Sequence, residues 1–539
     1  MNPGLTVAEV LAENLTELGV KFVYGLPGGE NVQVLDAIRR AGIQFVLVHN
    51  ESSAVFMADV TARLTGTTGV CLTTLGPGAS NAVAGLAHAF LDRAPVLIIT
   101  PQISDDPLPQ ETHQSIDIAG IYSPISKYSF KLGPRNTRET IRQAFAATRE
   151  GRPGPVHLQI TNDTAMKPTA DDASVAKQAA TAATRNQESE YARAKELAAR
   201  SLRPVIVVGL GLEPERPYEA LRVLAENVLA PVICTPKAKG CLPDDHPLAA
   251  GVIGLTRSDP AYEILDQADC IIALGFDVVE LVKTWDYSVP VIWIAPWENR
   301  DPVIKTQAEF VGAMTPVLQE LAAFKWGTDQ AWGTPRVAAH HAKLTQRKLP
   351  APAPGRMLPQ QVLDAIRRAA PRDVLLTTDV GSHKILACLT WETLAPNSFF
   401  VSNGLSCMGF GLPAAIAASL VRPGQPVVCT IGDAGLMMVM GELGLLARLQ
   451  TQVIVVVFND GALDLIRAQQ LRAGKPVYGT EFNSPDFVRI AEAFGIQACR
   501  VSDAEECFKQ IKTALERKSP TLIEAMIDPS SYPTTPPKI

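Results

Sequence analysis

The chain has 539 residues, of which 47% are apolar and 19% charged, and its formal net charge is −6 at pH 7. This balance is typical of a soluble globular protein. The sequence has no basic stripe, which argues against nucleic-acid binding, and no apolar run of roughly 18 residues, which argues against membrane insertion. The amino terminus has no secretion-signal pattern, and the nine cysteines form no C-x-x-C pair. We therefore expect free thiols and a cytoplasmic protein.

Helix-like and strand-like segments alternate from the start of the chain, with short joints rich in glycine and proline. In chain order they are a helix at 8–18, a strand at 22–24, a helix at 31–41, a strand at 45–48, a helix at 54–64, strands at 69–74 and 96–100, and a closing strand within 151–165. Short apolar strands joined by helices predict a doubly wound parallel sheet.

Two later segments repeat this alternation. Strand-like runs lie at 204–208, 230–235, 270–275 and 290–295, and a third series extends from 359 to 528. An Ala/Thr/Asp-rich stretch at 167–187 and a proline-rich stretch at 335–358 are predicted linkers. We therefore predict an α/β protein of three doubly wound parallel-sheet domains, over residues 1–166, 188–335 and 359–530.

The stretch 426–465 carries the clearest chemical pattern. It consists of a strand, a loop of small residues, a helix and a second strand, at 426–431, 432–435, 436–449 and 453–458. Asp433 follows the first strand and Asn459 ends the second, and open parallel sheets bind ligands at these carboxyl ends. A carboxylate and an amide oxygen suit Mg²⁺ holding a diphosphate, and the free N–H groups at the helix start favour the same anion.

The spacing of Gly432-Asp433-Ala434 and Asn459 resembles the signature of thiamine diphosphate (ThDP) enzymes, which is Gly-Asp-Gly followed by a distant Asn. Ala434 departs from the second glycine of that signature. An alanine is compatible with this position if its φ is negative, and Gly435 is then expected to supply a loose joint.

Further motifs extend this resemblance to the rest of the chain. They lie, in order, at 25–29, 49–54, 62–66, 73–81, 151–155 and 402–415. Together they resemble the acetolactate synthase-like ThDP family over essentially the whole sequence.

The resemblance implies that Glu51 hydrogen-bonds the aminopyrimidine ring of the cofactor and shifts it toward the imino tautomer, whose nitrogen takes the thiazolium proton. It also places Met408 between the two cofactor rings, with Ser406 O and Met408 N on the pyrimidine. The implied cofactor-binding residues are Pro27, Gly28, Glu51, Asn81, Gly381, Ser382, His383, Ser406, Met408, Gly432, Asp433, Ala434, Gly435, Asn459, Gly461, Ala462 and Leu463. The implied metal ligands are Asp433, Asn459 and Gly461.

Simpler roles stay open from the residues alone. Glu51 could pair with a helix dipole, Met408 could fill a core, and His383 could be a surface histidine. Gln114 and Lys127 lie at the spacing of a Gln…Lys pair of acetolactate synthases, and we assign Gln114 a catalytic role beside Glu51. A solvated helix residue and a surface lysine are the alternatives.

Several positions depart from the anabolic acetolactate synthases. Segment 275–280 lacks the arginine that binds the second keto acid and helps hold FAD, and Glu30-Asn31 replace small apolar residues after the glycines. Asp464 and Ala468 stand where the family has methionine and tryptophan.

Two of these features affect the substrate prediction. Asp464 disfavours a second carboxylate substrate unless Arg467 or Lys127 offsets its charge. The His-His pair of pyruvate decarboxylases is absent, since the nearest match is His113-Gln114.

The resemblance implies a ThDP- and Mg²⁺-dependent enzyme that decarboxylates a 2-oxo acid and joins the remaining fragment to a carbonyl acceptor. The alternatives are a non-ligating 2-oxoacid decarboxylase, an FAD-dependent oxidase or CoA-linked lyase on the same scaffold, and, more remotely, a non-catalytic binding subunit. FAD is not favoured, because Gly209-Leu210-Gly211 is only a weak nucleotide signal. Family members pair the first domain of one subunit with the third domain of another, which implies a homodimer or homotetramer.

Overall fold

The computed structural model describes residues 4–104, 113–170, 187–346 and 348–533. Within these ranges the chain forms three six-stranded sheets in which all strand pairs are parallel. The predicted α/β fold with doubly wound parallel sheets is confirmed. Helices cover such sheets on both faces, which explains why so many strands are continuous apolar runs. In the same ranges we find no helix with the length and apolar character needed to cross a membrane.

The first sheet has the strand order β2-β1-β3-β4-β6-β5. Its strands are β1 (Phe22–Gly25), β2 (Gln44–Leu47), β3 (Gly69–Leu72), β4 (Val96–Gln102), β5 (Ser129–Lys131) and β6 (Val156–Thr161). The helices of this part are α1 (Val7–Glu17), α2 (Val32–Arg40), α3 (Glu51–Thr65), α4 (Pro77–Asn81), α5 (Val83–Leu91), α6 (Ile118–Tyr122), α7 (Thr137–Ala147) and α8 (Asn162–Met166). The strand order reverses between β1 and β3, and such a switch point opens a crevice at the carboxyl ends of the strands.

The second sheet has the order β12-β11-β10-β7-β8-β9. Its strands are β7 (Pro204–Val208), β8 (Val232–Cys234), β9 (Ala249–Val252), β10 (Cys270–Leu274), β11 (Val291–Ala295) and β12 (Thr306–Val311). Its helices are α9 (Gln187–Arg200), α10 (Tyr218–Val228), α11 (Tyr262–Leu265), α12 (Met314–Ala323) and α13 (Thr334–Thr345). Helix α13 occupies the start of the predicted linker at 335–358, so that part of the linker prediction is wrong. Pro335 lies in its first turn, where proline is compatible with a helix, and Val337 is buried.

The third sheet has the order β14-β13-β15-β16-β18-β17. Its strands are β13 (Leu375–Thr378), β14 (Phe399–Val401), β15 (Val427–Gly432), β16 (Val453–Asn459), β17 (Gln497–Val501) and β18 (Thr521–Met526). The helices are α14 (Pro359–Ala369), α15 (Ser382–Thr390), α16 (Gly411–Val421), α17 (Asp433–Val439), α18 (Glu442–Leu449), α19 (Asp464–Arg472), α20 (Phe487–Ala493) and α21 (Ala504–Arg517). The helix predicted at 436–449 is therefore two helices, and it is interrupted at Gly441, the N-cap of α18.

Short 3₁₀ helices complete the described elements. They lie at Gly29–Asn31, Ser123–Ile125, Pro236–Ala238, Val278–Glu280 and Pro529–Ser531. Of the predicted linker at 167–187, all but its ends lies outside the described residues. All nine cysteines are free thiols, and seven of them are buried.

The chain separates into two compact units. Unit 1 contains the first sheet together with residues 404–423 and 439–451, and unit 2 contains the second and third sheets. In unit 1, α16 packs against α3, and its residues 411–419 are all buried. A helix that is apolar around its whole circumference needs such a buried environment.

Candidate functional site

Glu51 lies in unit 1, four residues after the last residue of β2, and is the first residue of α3. Asn50 is the N-cap, and its side chain accepts a hydrogen bond from Ser52 N. Glu51 is therefore not needed to cap the helix, and its side chain is only 6% exposed.

The Glu51 carboxylate accepts a 2.5 Å hydrogen bond from the side-chain amide of Asn81, at the end of α4. A Cβ atom on Gly78 would lie 3.1 Å from the other carboxylate oxygen. The loop after β3 thus approaches Glu51 closely because position 78 has no side chain. The structure brings the predicted residues Glu51 and Asn81 together.

Glu442 is a buried carboxylate that we did not predict from the sequence. Its Oε1 accepts hydrogen bonds from the backbone N–H groups of His49, at 3.0 Å, and Asn50, at 3.2 Å. Burial raises the pKa of the Glu442 carboxyl, and the hydrogen bonds from His49 oppose this shift. Glu442 thereby fixes the backbone that leads into Glu51. The only sequence signal is a glutamate at the start of a strongly apolar helix.

The predicted residues Pro27 and Gly28 follow β1 in unit 1. A Cβ on Gly28 would lie 2.1 Å from the Thr74 hydroxyl oxygen, so this loop also requires glycine. The departures at 30 and 31 have local roles, because Glu30 accepts a hydrogen bond from the Thr74 hydroxyl and Asn31 donates one to the Thr73 carbonyl.

Gln114 is exposed and has a φ of 57°. A Cβ atom on Gly76 would lie 2.3 Å from the Gln114 carbonyl oxygen. Gln114 therefore neighbours the same loop that contacts Glu51. Lys127 instead donates a hydrogen bond to the Glu150 carbonyl, and burial lowers the pKa of its ammonium group to about 8. Among the described residues no contact joins Lys127 to Gln114.

Ser406 and Met408 belong to unit 1. Ser406 adopts a positive φ of 56°, which is uncommon for a residue with a side chain. Met408 is half-buried and is not among the buried core residues, so plain core packing does not account for it.

In unit 2 three adjacent strands of the third sheet, β13, β15 and β16, end at the other predicted residues. Asp433, directly after β15, is 3% exposed. Its carboxylate accepts hydrogen bonds from Ala434 N at 2.7 Å, Gly461 N at 2.8 Å and the Ser484 hydroxyl at 3.1 Å. Burial raises the pKa of Asp433, although these donors lower it.

Asn459 ends β16, and its side-chain nitrogen donates a 2.7 Å hydrogen bond to the buried carboxylate of Glu524. This bond orients the amide, so its oxygen is the atom that can serve a ligand. Gly461 has a φ of 71°, and its carbonyl accepts a hydrogen bond from Phe482 N, which leaves the second lone pair of that oxygen.

Ala462 and Leu463 complete this loop through backbone contacts. Leu463 N donates to the Thr480 carbonyl at 2.7 Å, and Ala462 forms a bridge with Glu481. The loop after Asn459 is therefore held along its length.

Gly381, Ser382 and His383 follow β13. Gly381 has a φ of 155°, and the His383 ring is stacked on Phe458. His383 Nε2 is buried without a hydrogen-bond partner among the described residues. Burial, with the charge of Lys384, lowers the pKa of His383 to about 3, so the ring is neutral near pH 7.

Ala434 and Gly435 lie in the first turn of α17. Ala434 is absent from the residues with positive φ, so the alanine fits without strain. Gly435 is not the loose joint that we expected. A Cβ there would lie 2.0 Å from an Asp379 carboxylate oxygen, so the position needs glycine for space.

Asp464 starts α19 and is held by two partners. Its carboxylate accepts hydrogen bonds from the Ser382 hydroxyl and from Arg467, both at 2.9 Å. Of the two cations considered from the sequence, Arg467 is therefore the one that offsets its charge. Burial, with the charges of Asp433 and Asp464, raises the pKa of Asp460 to about 7.

These residues fit a diphosphate held by a divalent cation. Burial and the negative charges of Asp433 and Asp464 raise the pKa of Asp460, and a cation would relieve the repulsion among the three aspartates. Hard oxygen donors from carboxylate, amide and backbone carbonyl suit Mg²⁺. The buried Nε2 of His383 has no partner among the described residues, so a hydrogen-bond donor on a bound ligand could satisfy it.

The second sheet fits a nucleotide poorly. The buried Glu280 carboxylate accepts a 2.9 Å hydrogen bond from Leu210 N, in the Gly-Leu-Gly turn after β7. A phosphate at this turn would need the same N–H and would meet a carboxylate. A Cβ on Gly211 would lie 2.3 Å from the Trp297 ring, so this glycine accommodates tryptophan.

Comparisons with known proteins show which family the chain resembles along its length. Residues 5–121, 191–321 and 379–525 match the families described as thiamine pyrophosphate enzyme N-terminal TPP binding domain, central domain and C-terminal TPP binding domain. The probable acetolactate synthase large subunit of Methanocaldococcus jannaschii is 31% identical over 98% of this chain and 93% of its own length. The acetolactate synthase isozyme 1 large subunit of Escherichia coli is 32% identical, with coverages of 99% and 96%. The acetolactate synthase of Bacillus subtilis is 29% identical, with coverages of 97% and 93%.

Proposed function

Because the chain belongs to the family of thiamine pyrophosphate (ThDP) enzymes, we propose that it uses ThDP and Mg²⁺ to decarboxylate a 2-oxo acid and to join the remaining fragment to a carbonyl acceptor. One observation carries the proposal. Each unit holds a buried carboxyl group beyond the carboxyl end of a strand, Glu51 in unit 1 and Asp433 in unit 2, beside glycines that allow close packing of the loops, Gly78 in unit 1 and Gly435 in unit 2.

In unit 2, Asp433, the Asn459 amide oxygen and the Gly461 carbonyl would hold Mg²⁺. The loop after β13, with Ser382 and His383, would hold the diphosphate. Support comes from Asp433, Asp460 and Asp464, whose mutual repulsion a cation would reduce.

Glu51, Asn81 and the loop at Gly28 of the first domain would hold the aminopyrimidine, with Ser406 and Met408 from the third domain of the paired subunit as its further contacts. When bound, ThDP supplies a carbon nucleophile and takes up the electrons released as CO₂ leaves a 2-oxo acid. Glu51 would hold and return a proton at its carboxyl group, a role that burial and the Asn81 hydrogen bond suit.

Simple decarboxylation without ligation is the second candidate. Segment 275–280 has no arginine for a second keto acid, and the Glu280 carboxylate faces the Gly-Leu-Gly turn. Against it, Arg467 pairs with Asp464, which removes part of the repulsion that a carboxylate substrate would meet. The products of the reaction decide between the two. The hydrogen bond from Leu210 N to Glu280 also disfavours an FAD-dependent or CoA-linked alternative.

We further propose a homodimer or homotetramer in the cytoplasm. Family members form their sites between subunits, and nine free thiols suit a reducing compartment. Several relatives are named large subunits, so co-purification from the native host tests whether a smaller subunit accompanies this chain. Mass photometry of the purified protein gives its own oligomeric state.

The test is the reaction of the purified protein with ThDP, Mg²⁺ and pyruvate, with CO₂ and the other products followed by NMR and with an absorbance scan for flavin. Glu51→Gln is compared with Glu196→Gln, an exposed glutamate on α9. We expect CO₂ from the wild type and from Glu196→Gln, and a loss of about 10²–10⁴-fold in Glu51→Gln.

The outcomes separate the parts of the proposal. A ligated product supports the carboligase and free aldehyde supports the decarboxylase. Binding of ThDP without consumption of pyruvate contradicts the choice of this 2-oxo acid, so a panel of 2-oxo acids follows. Failure to bind ThDP in the presence of Mg²⁺ would overturn the assignment of Asp433 and Asn459.

A further inference from the structure

Helix α5 in unit 1 carries a buried histidine between two carboxylates. His88 Nε2 lies 3.0 Å from an Asp59 carboxylate oxygen, and His88 Nδ1 lies 3.4 Å from Asp92 Oδ2. All three side chains are at most 3% exposed. Burial of such groups costs free energy that an apolar residue would not cost, so the cluster calls for a function.

Asp92 extends the cluster to a distant part of the chain. Its Oδ1 accepts a hydrogen bond from the backbone N–H of Gly404. A Cβ on Gly404 would lie 2.7 Å from the Leu91 carbonyl oxygen and 2.8 Å from Asp92 Oδ1. The absence of a side chain at 404 therefore allows this backbone to sit against the end of α5.

The His88 ring contacts the other end of the same segment. Its centroid lies 5.2 Å from that of Phe410, and Phe56 packs edge-on against both rings, at 5.1 Å from His88 and 5.7 Å from Phe410. We call residues 404–410 the anchored segment. One end is bonded to Asp92 and the other is packed on His88.

The middle of the anchored segment also lies on α5, because the Cys407 thiol is 3.7 Å from the Ala84 carbonyl oxygen. Ser406, beside it, adopts a positive φ of 56°. Such a backbone conformation persists when its surroundings hold it in place. Three points of contact with one helix provide that constraint.

We propose that His88 and Asp92 are positioning residues that fix the anchored segment, and with it Ser406 and Met408, for binding of the ThDP pyrimidine. The proposal rests on the function proposed above, which gives Ser406 and Met408 their contact with the cofactor. An apolar core could pack against Phe410, but only a hydrogen-bond acceptor at 92 can also satisfy Gly404 N–H. Asp59 holds the opposite side of the imidazole and so fixes the orientation of the ring.

The test compares Asp92→Leu with Asp92→Asn, which keeps the shape and an oxygen acceptor for Gly404 N–H. The first measurement uses protein freed of cofactor and metal and follows alkylation of Cys407 by iodoacetamide with mass spectrometry. Cys499, a half-buried thiol in unit 2, is the internal control. The second measurement is ThDP affinity by titration at saturating Mg²⁺.

For Asp92→Leu we expect Cys407 alkylation and the ThDP Kd each to rise about tenfold, the effect of losing one hydrogen bond to a charged group. The alkylation rate of Cys499 should be unchanged. In Asp92→Asn, the alkylation rate of Cys407 and the ThDP Kd should both stay within about threefold of the wild-type values. Unchanged Cys407 alkylation, or faster alkylation with an unchanged Kd, would overturn the inference. Failure of the wild type to bind ThDP would instead overturn the proposed function.

Two further results test the anchor in the wild type and a different role for the cluster. In the wild type without cofactor, hydrogen exchange should be as slow in peptides covering 404–410 as in β4, and fast exchange there contradicts the anchor. Asp59, His88 and Asp92 also have the spacing of metal ligands. A stoichiometric metal that is retained in EDTA and lost in His88→Phe would overturn the positioning role.

Discussion

The side-chain amide of Asn81 donates a 2.5 Å hydrogen bond to the carboxylate of Glu51. Because Asn81 holds the group that we propose to transfer protons, its effect on activity should pass through Glu51. Asn81→Ala should lower kcat about tenfold to a hundredfold, the range for a hydrogen bond to a charged group. The double variant Glu51→Gln/Asn81→Ala should be no slower than Glu51→Gln alone. Additive losses would mean that Asn81 acts independently.

Gly435 and Ala434 form a matched pair for the cofactor loop. Gly435→Ala places a Cβ 2.0 Å from the Asp379 carboxylate and should cost about 1–3 kcal/mol of stability and weaken ThDP binding. Ala434→Gly removes no required contact and should cost at most about 1 kcal/mol, from helix propensity. Thermal unfolding and ThDP titration measure both effects. Equal behaviour of the two variants would contradict a space requirement at 435.

Arg467 should matter for anionic substrates through Asp464. Without the guanidinium, the Ser382 hydroxyl is the one side-chain partner left to Asp464 among the described residues, and the Asp464 charge should repel a 2-oxo acid. Arg467→Gln is expected to raise KM for the 2-oxo acid about tenfold, and Asp464→Asn in that background should restore most of the loss. Steady-state kinetics on both variants provides the check. A KM that does not recover in the double variant would show that Arg467 contacts the substrate directly.

His157 should make unit 1 sensitive to acid. Burial lowers the pKa of its imidazole to about 4, and its two nitrogens lie 2.7 Å from the hydroxyls of Thr100 and Ser129. Below about pH 6.5 the His157 imidazole of the unfolded chain binds a proton that the folded chain does not bind. The contribution of His157 to the free energy of unfolding is therefore fully present above that pH and decreases as the pH falls toward 4. The expected contribution is about 1.4 kcal/mol per pH unit in this window.

The measurement for His157 is the free energy of unfolding by urea at several pH values between 4 and 7. His157→Gln keeps a donor and an acceptor but does not titrate, so its stability should depend less steeply on pH than that of the wild type. If both proteins lose stability in parallel, other groups dominate the acid response.

The sequence was informative where the physical signal is local. Apolar runs ending in glycine and a polar residue predicted β15 with Asp433 and β16 with Asn459, because strand burial and turn chemistry depend on a few adjacent residues. The role of Gly435 was missed because the side chain that requires a glycine there belongs to Asp379, in the loop after another strand. Glu442 was missed because its partners, His49 and Asn50, precede it by 393 and 392 positions. No pattern within its own helix indicates contacts so distant in the chain.

The membership of α16 in unit 1 has a consequence for how the protein is made. The first sheet is translated long before residues 404–451, yet α3 packs against a helix that emerges only with them. During synthesis the nascent amino-terminal part should therefore expose an apolar surface and rely on chaperones. A fragment ending in the segment 348–358 should aggregate when expressed alone, and co-expression with the complementary fragment should return it to the soluble fraction.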